Sequence, residues 1–149
     1  MIVKSLEHLN SLSQKVADML FKNDCIFLIG EIGVGKTTFT RYLINYLQKK
    51  NGEKITEVLS PTFNLLYEYD LKRIKIMHYD LYRISNEKEL EQLGIFLDKQ
   101  DTIKIIEWPQ LINIPLSDKL EIHLEYVKNE KEREIKFIGS GKWKILNEL

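Results

Sequence analysis

The octapeptide "GEIGVGKT", residues 30–37, limits what this chain can fold into more than any other stretch. It matches G-x-x-x-x-G-K-S/T in full, and its flanks are those the pattern requires. Before it lies "CIFLI", a short continuous apolar run suited to a strand covered on both faces. After it, Phe39, Tyr42, Leu43, Tyr46 and Leu47 recur at helical spacing until Asn51-Gly52 stops them. Strand, glycine loop and helix in that order bring backbone N–H groups and the positive end of a helix together around a phosphate. Lys36 supplies a point charge for β- and γ-phosphates, and the Thr37 hydroxyl is placed to ligate magnesium. A second Gly-Lys, in "IGSGKW", lacks both the first glycine at the right distance and a hydroxyl residue after Lys142. It reads as a β-turn with an exposed charge.

The remaining elements favour one α/β domain over residues 1–149. Leu9, Leu12, Val16, Met19 and Leu20 mark a first helix from Leu6 to about Phe21, with Ser5 at its N-cap. "FNLLYEYD" and "RIKIMHYD" read as a hairpin turning at Leu71-Lys72. In its second strand Ile74, Ile76 and His78 share one face, and Lys75, Met77 and Tyr79 the other. "SNEKELEQLGIFLD" predicts a short helix capped by Ser85 or Asn86, with acids in its first turn. "TIKIIE" is another buried-strand candidate, and "KLEIHLEYV", "REIKFIG" and "KWKIL" read as strands joined by tight turns. Strand–loop–helix units followed by antiparallel hairpins imply a phosphate-loop type three-layer sandwich with a mixed, partly parallel sheet.

Charge and cysteine content narrow the function. Lys plus Arg total 22 and Asp plus Glu total 22, so the chain lacks the basic surplus of a domain that grips nucleic acid unaided. Cys25 is the single cysteine, which excludes an internal disulfide and fits a reducing compartment. With no signal-peptide pattern at "MIVKSLEHLN" and no span-length apolar segment, the expectation is a cytoplasmic protein without membrane contact.

Phosphate chemistry needs carboxylates, and open α/β sheets supply them from the carboxyl ends of strands beside the loop. Asp80 ends "RIKIMHYD" and Glu107 ends "TIKIIE", each in the manner of a metal-linked acid. Their separate roles are not fixed by sequence. Trp108 and Pro109 follow Glu107, so the strand stops there; Trp108 reads either as core or as part of the site. Ser60, Pro61 and Thr62 form a turn before the hairpin, either a plain proline turn or a segment that senses a γ-phosphate. His8, His78 and His123 lack mutual metal-ligand spacing, and His78 reads as a satisfied core or near-surface residue.

Taken in order, "GEIGVGKTTFTR", "SPTFNLLYEY", "HYDLYRI", "ELEQLGI" and "IIEWPQ" resemble the bacterial TsaE family, from the first helix to about Arg133. "HYDLYR" and "EWP" are far more specific than the phosphate loop. The resemblance implies a slow ATPase of tRNA threonylcarbamoyladenosine biosynthesis that works with the TsaB–TsaD complex, contacting tRNA only through its partners. It implies that Lys36 and the backbone of Glu31, Ile32, Gly33, Val34, Gly35, Thr37 and Thr38 bind ATP. Thr37 and Glu107 would hold Mg2+, with Asp80 a second metal-linked or water-orienting acid. Thr62 would belong to the switch segment with Ser60 beside it, Trp108 would support the site or partner surface, and Leu6, next to Ser5, and Arg133 would touch the nucleotide. Glu31, Ile32 and Val34 stand where the family usually has Asp, Leu and Ala, which leaves the loop's glycine geometry intact.

Two rivals share the phosphate loop. A switch GTPase normally carries an Asn-Lys-x-Asp segment to read guanine, and none is present. A stand-alone small-molecule kinase needs an acceptor pocket and an arginine-bearing lid, yet no arginine-rich insert follows "ELEQLGI". A third possibility, an interaction module reset by hydrolysis, overlaps the family reading and agrees with zero net charge.

Overall fold

The computed structural model describes residues 1–97, 101–113, 119–128 and 131–149. Its elements are β1 (Ile2–Val3), α1 (Leu6–Met19), β2 (Cys25–Ile29), α2 (Lys36–Lys50), β3 (Leu66–Leu71), β4 (Ile74–Asp80), α3 (Glu87–Gln92), β5 (Thr102–Glu107), β6 (Lys119–Tyr126) and β7 (Arg133–Gly139). Short 3-10 turns cover Pro109–Leu111 and Gly141–Glu148. The strands form one sheet in the order β1-β7-β6-β2-β5-β4-β3. β2 runs parallel to β5 and β6, and β4 parallel to β5, while the outer pairs are antiparallel. The expected mixed α/β sandwich is therefore what forms.

Strand alternation divides the core. Ile26, Leu28, Ile76, Ile103 and Ile105 pack with Leu12 and Val16 of α1 and Phe39, Leu43 and Ile44 of α2. Their neighbours in the strands, Cys25, Phe27, Met77, Tyr79 and Ile106, face the other way, against Leu81, Leu90 and Ile95. Burial on both faces is why the central strands read as continuous apolar runs. Beyond β2 the outward side chains of β6 and β7 include Glu121, His123, Glu134 and Lys136, so that half of the sheet is polar on one side.

Ser5 caps α1 by accepting the His8 N–H at 3.1 Å. Of the two cap candidates for α3, Asn86 accepts the Glu89 N–H at 2.9 Å, and the Glu89 carboxylate accepts the Ser85 N–H at 3.0 Å. Asn86 is thus the cap, and Glu89 reaches back one residue further, to Ser85, in a variant of the capping box. The predicted run extends to Asp98, which lies outside the described residues.

Three expectations shift. The hairpin turns at Lys72 and Arg73, one residue later than predicted, because Leu71 pairs with Ile74 and is buried at the end of β3. Phe63 to Leu65 stay out of the strand: Leu65 takes φ +66° and donates its N–H to Pro61 O at 2.6 Å, closing a turn. "KWKIL" is a 3-10 turn, not a strand. Trp143 and Leu146, three residues apart, point to the core together, as the 3-10 repeat allows. Lys142, expected in a β-turn with an exposed charge, lies within this same 3-10 turn and its charge is paired. Its ammonium pairs with Asp24 and donates to Met19 O at 2.8 Å. Among the described residues no helix is long and apolar enough to cross a membrane.

Candidate phosphate-binding site

Residues 30–35 leave the carboxyl end of β2, curl, and deliver the chain into α2. Gly35, at φ +122°, is the N-cap of α2 and occupies a conformation that L side chains rarely adopt. Val34 is buried and ties the curl to the core, while Glu31 and Ile32 turn outward. The side chains at positions 31 and 32 therefore do little to set the loop's shape.

Lys36 is the first residue of α2 and folds back into the curl. Its Nζ donates to Gly30 O at 2.5 Å and Glu31 O at 2.9 Å, and lies 4.6 Å from the Trp108 ring centroid. Burial lowers its pKa, an effect that the nearby Glu107 and Asp80 carboxylates oppose. A buried ammonium leaning on carbonyls and an indole face is ready to exchange those partners for an anion.

The two acids sit side by side. In the parallel register of β4 and β5, Asp80 lies directly opposite Glu107, and both are buried. Glu107 Oε1 is 3.4 Å from the Thr37 hydroxyl. Asp80 Oδ1 accepts the Tyr82 N–H at 3.0 Å, and Oδ2 accepts the Thr62 hydroxyl at 2.8 Å with Ser60 Oγ at 3.5 Å. The turn at Ser60–Thr62 is thus fastened to an acid of the site and is more than a proline bend. Lys36, Thr37, Ser60, Thr62, Asp80, Glu107 and Trp108 all border one pocket of about 160 Å³, together with Ile32, Gly33, Gly35 and Thr38.

Trp108 borders that pocket and, half-buried, also packs against the second core cluster. It stands in the left-handed region at φ +56°, which costs a non-glycine residue on the order of 1 kcal/mol. Its ring faces Tyr82, with centroids 4.9 Å apart. Leu6 and Arg133 are brought to a different place, a neighbouring pocket of about 350 Å³ on the far side of the curl. Ser5, Val34, Gly35 and Thr38 line it as well, so the loop separates the two spaces. Arg133 Nε donates to Val34 O at 2.9 Å.

Sequence reasoning missed two contributors and misread a third. Tyr126 donates its hydroxyl to Ile32 O at 3.2 Å, and its ring lies 4.3 Å from the Arg133 guanidinium carbon. No local signal marks it; the β6–β7 register that places Tyr126 opposite Arg133 is what brings it to the loop. Tyr82 was within reach, since it sits inside "HYDLYR". His78 takes the core alternative, fully buried, but is not satisfied: among the described residues neither ring nitrogen has a hydrogen-bond partner.

The hydroxyl of Thr37 and the carboxylates of Glu107 and Asp80 are hard oxygen donors of the kind magnesium takes. Among the described residues no three His, Cys, Asp or Glu side chains form a metal cluster by themselves. A cation in this pocket would therefore have to share its shell with ligand oxygens and water, the usual habit of magnesium.

Comparison with known proteins converges on one group. The family described as "Threonylcarbamoyl adenosine biosynthesis protein TsaE" matches residues 3–135. A tRNA threonylcarbamoyladenosine biosynthesis protein TsaE from Rickettsia conorii is 37% identical over 130 residues, covering 87% of this chain and 72% of the relative. One of the same description from Aquifex aeolicus is 35% identical over 109 residues, covering 73% and 75%. The crystal structure of Bacillus subtilus YdiB superposes with a TM-score of 0.72 at 25% identity, covering 99% of this chain and 90% of that one.

Proposed function

The chain belongs to the TsaE family, whose members act in tRNA threonylcarbamoyladenosine biosynthesis, and from that premise we propose that it is a slow, Mg2+-dependent ATPase of this modification. The observation that carries the reading is the convergence of Lys36, Thr37, Asp80 and Glu107 on one pocket at the mouth of a complete phosphate loop. Backbone N–H groups of the curl and the start of α2 cradle the triphosphate, and Lys36 turns from its carbonyls to the β- and γ-oxygens. Thr37 and Glu107 hold the cation, which when bound offsets the charge of the phosphate oxygens. Asp80 orients water through the oxygen that it now shares with Thr62. The nucleoside lies across the curl in the pocket of Leu6 and Arg133, whose volume of about 350 Å³ is in the range of small-molecule sites.

Hydrolysis in this reading resets an assembly. Thr62 ties the Ser60–Thr62 turn to Asp80, so a change at the phosphates moves Phe63, which is 83% exposed. Ile32 and Tyr82 are also exposed apolar residues beside the pocket, and together they offer a partner a surface that varies with nucleotide state. The partner is a complex of the TsaB–TsaD type, and the balanced charge of 22 basic and 22 acidic residues supports leaving the tRNA to it. The test follows ATP hydrolysis by the purified protein with and without TsaB–TsaD and tRNA. Slow turnover alone and stimulation tied to tRNA modification support the proposal. Rapid phosphoryl transfer to a metabolite would replace it with the kinase reading.

A further inference from the structure

Among the described residues, His78 is a buried side chain that stands against the candidate site without a hydrogen bond to either ring nitrogen. It is 0% exposed, and neither Nδ1 nor Nε2 makes a hydrogen bond. A buried imidazole left in that condition costs free energy, so its retention calls for a reason. The sheet supplies one. His78 pairs with Ile105 and Asp80 with Glu107 in the parallel register of β4 and β5, which makes His78 the diagonal neighbour of Glu107 on the α2 face. Its Nε2 lies 3.6 Å from Glu107 Oε2, just beyond hydrogen-bond reach. The other oxygen, Oε1, faces the Thr37 hydroxyl. The carboxylate is thus stretched between the start of α2 and the floor of the sheet.

We propose that His78 is a positioning residue for Glu107: with its proton on Nε2 it closes the remaining gap, holds Oε2, and leaves Oε1 aimed at the cation position. The inference rests on the reading of Glu107 as a magnesium ligand. Carboxylate ligands are commonly fixed by such a second hydrogen bond, and losing it typically costs about 10–100-fold in metal affinity. Nothing in the proposal requires His78 to touch nucleotide or water.

Calorimetric titration with ADP, once in Mg2+ and once in EDTA, tests it on wild type, H78F, H78Q, E107Q and the H78F/E107Q double variant. Wild type is expected to bind ADP more tightly in Mg2+. H78F should lose about tenfold of that gain, with its affinity in EDTA unchanged, and H78Q, which keeps an N–H donor, should recover part of it. In the E107Q background H78F should cost nothing more, since the group that it positions is already altered. Should H78F fail to fold, H78L gives the same comparison. The inference is overturned if H78F keeps the full magnesium gain, or if it weakens binding equally with and without Mg2+, the mark of a packing role. A wild type that shows no magnesium gain would instead remove the metal reading of Glu107 and this inference with it.

Discussion

Thr62 donates its hydroxyl to Asp80 Oδ2 at 2.8 Å, joining residues 18 positions apart and fastening the Ser60–Thr62 turn to the end of β4. Asp80 is 3% exposed, so little water is available to replace that donor, and Ser60 at 3.5 Å is a weak substitute. Thr62→Val keeps the shape and removes the donor. It should lower stability by about 1–3 kcal/mol in urea unfolding and reduce ATP turnover. Thr62→Ser, which restores the hydroxyl, should recover both. Wild-type stability in Thr62→Val would mean that the turn is held by something other than this bond.

Gly30 and Gly52 both take positive φ, at +155° and +70°, but only one is crowded. A Cβ on Gly30 would overlap the Leu124 carbonyl oxygen and lie 2.9 Å from Val34 Cγ1, whereas nothing stands within 4 Å of one on Gly52. Leu124 is paired with Ile135 in the β6–β7 ladder and cannot retreat. Gly52→Ala should cost on the order of 1 kcal/mol, the backbone penalty alone. Gly30→Ala should cost more than about 3 kcal/mol, because overpacking against backbone is added. Equal urea midpoints for the two variants would contradict the close approach of loop and β6.

How much of this was legible beforehand follows from how local each determinant is. The phosphate loop, the caps at Ser5 and Asn86, and the placing of Asp80 and Glu107 at strand ends are written within a few residues of sequence. The pairing of those two acids needs the β4–β5 register, which no short window contains. Tyr126 reaches the loop only because β6 and β7 return beside β2, and the unsatisfied state of His78 depends on what α2 and β5 lay over it. "KWKIL" misled for the opposite reason: alternation in five residues is equally compatible with a strand and with a 3-10 turn whose Trp143 and Leu146 share a side.

Cys25 is buried in β2, and its burial pushes the thiol from an ordinary 9.0 up to about 12. Tyr79, on the same side of the sheet, is likewise raised by burial to about 12. A raised folded pKa means that the unfolded chain ionises first. The stability these groups contribute is complete below pH 9 and is lost as the pH climbs from 9.0 toward 12. Alkaline titration followed by circular dichroism should show unfolding free energy falling above pH 9. At pH 8 a thiol reagent should label Cys25 only at the rate of unfolding, and immediate labelling of the native protein would show that the strand is open to solvent.

Trp108 should report the arrival of a phosphate. The Lys36 ammonium lies 4.6 Å from its ring centroid, held there by Gly30 O and Glu31 O. An incoming polyphosphate offers Lys36 a far stronger set of acceptors, and the ammonium has to leave the indole to reach them. Indole emission depends on the charge over its face, so ADP should change the fluorescence of Trp108. Trp143, the other tryptophan, is fully buried against β7 and should contribute a constant background. Trp108→Phe should abolish the change while calorimetry still detects binding, because the loop amides and Lys36 remain. Lys36→Met should abolish both. If the ADP-dependent signal persisted in Trp108→Phe, the moving charge would not be the one over this ring, and the exchange of partners assigned to Lys36 would be wrong.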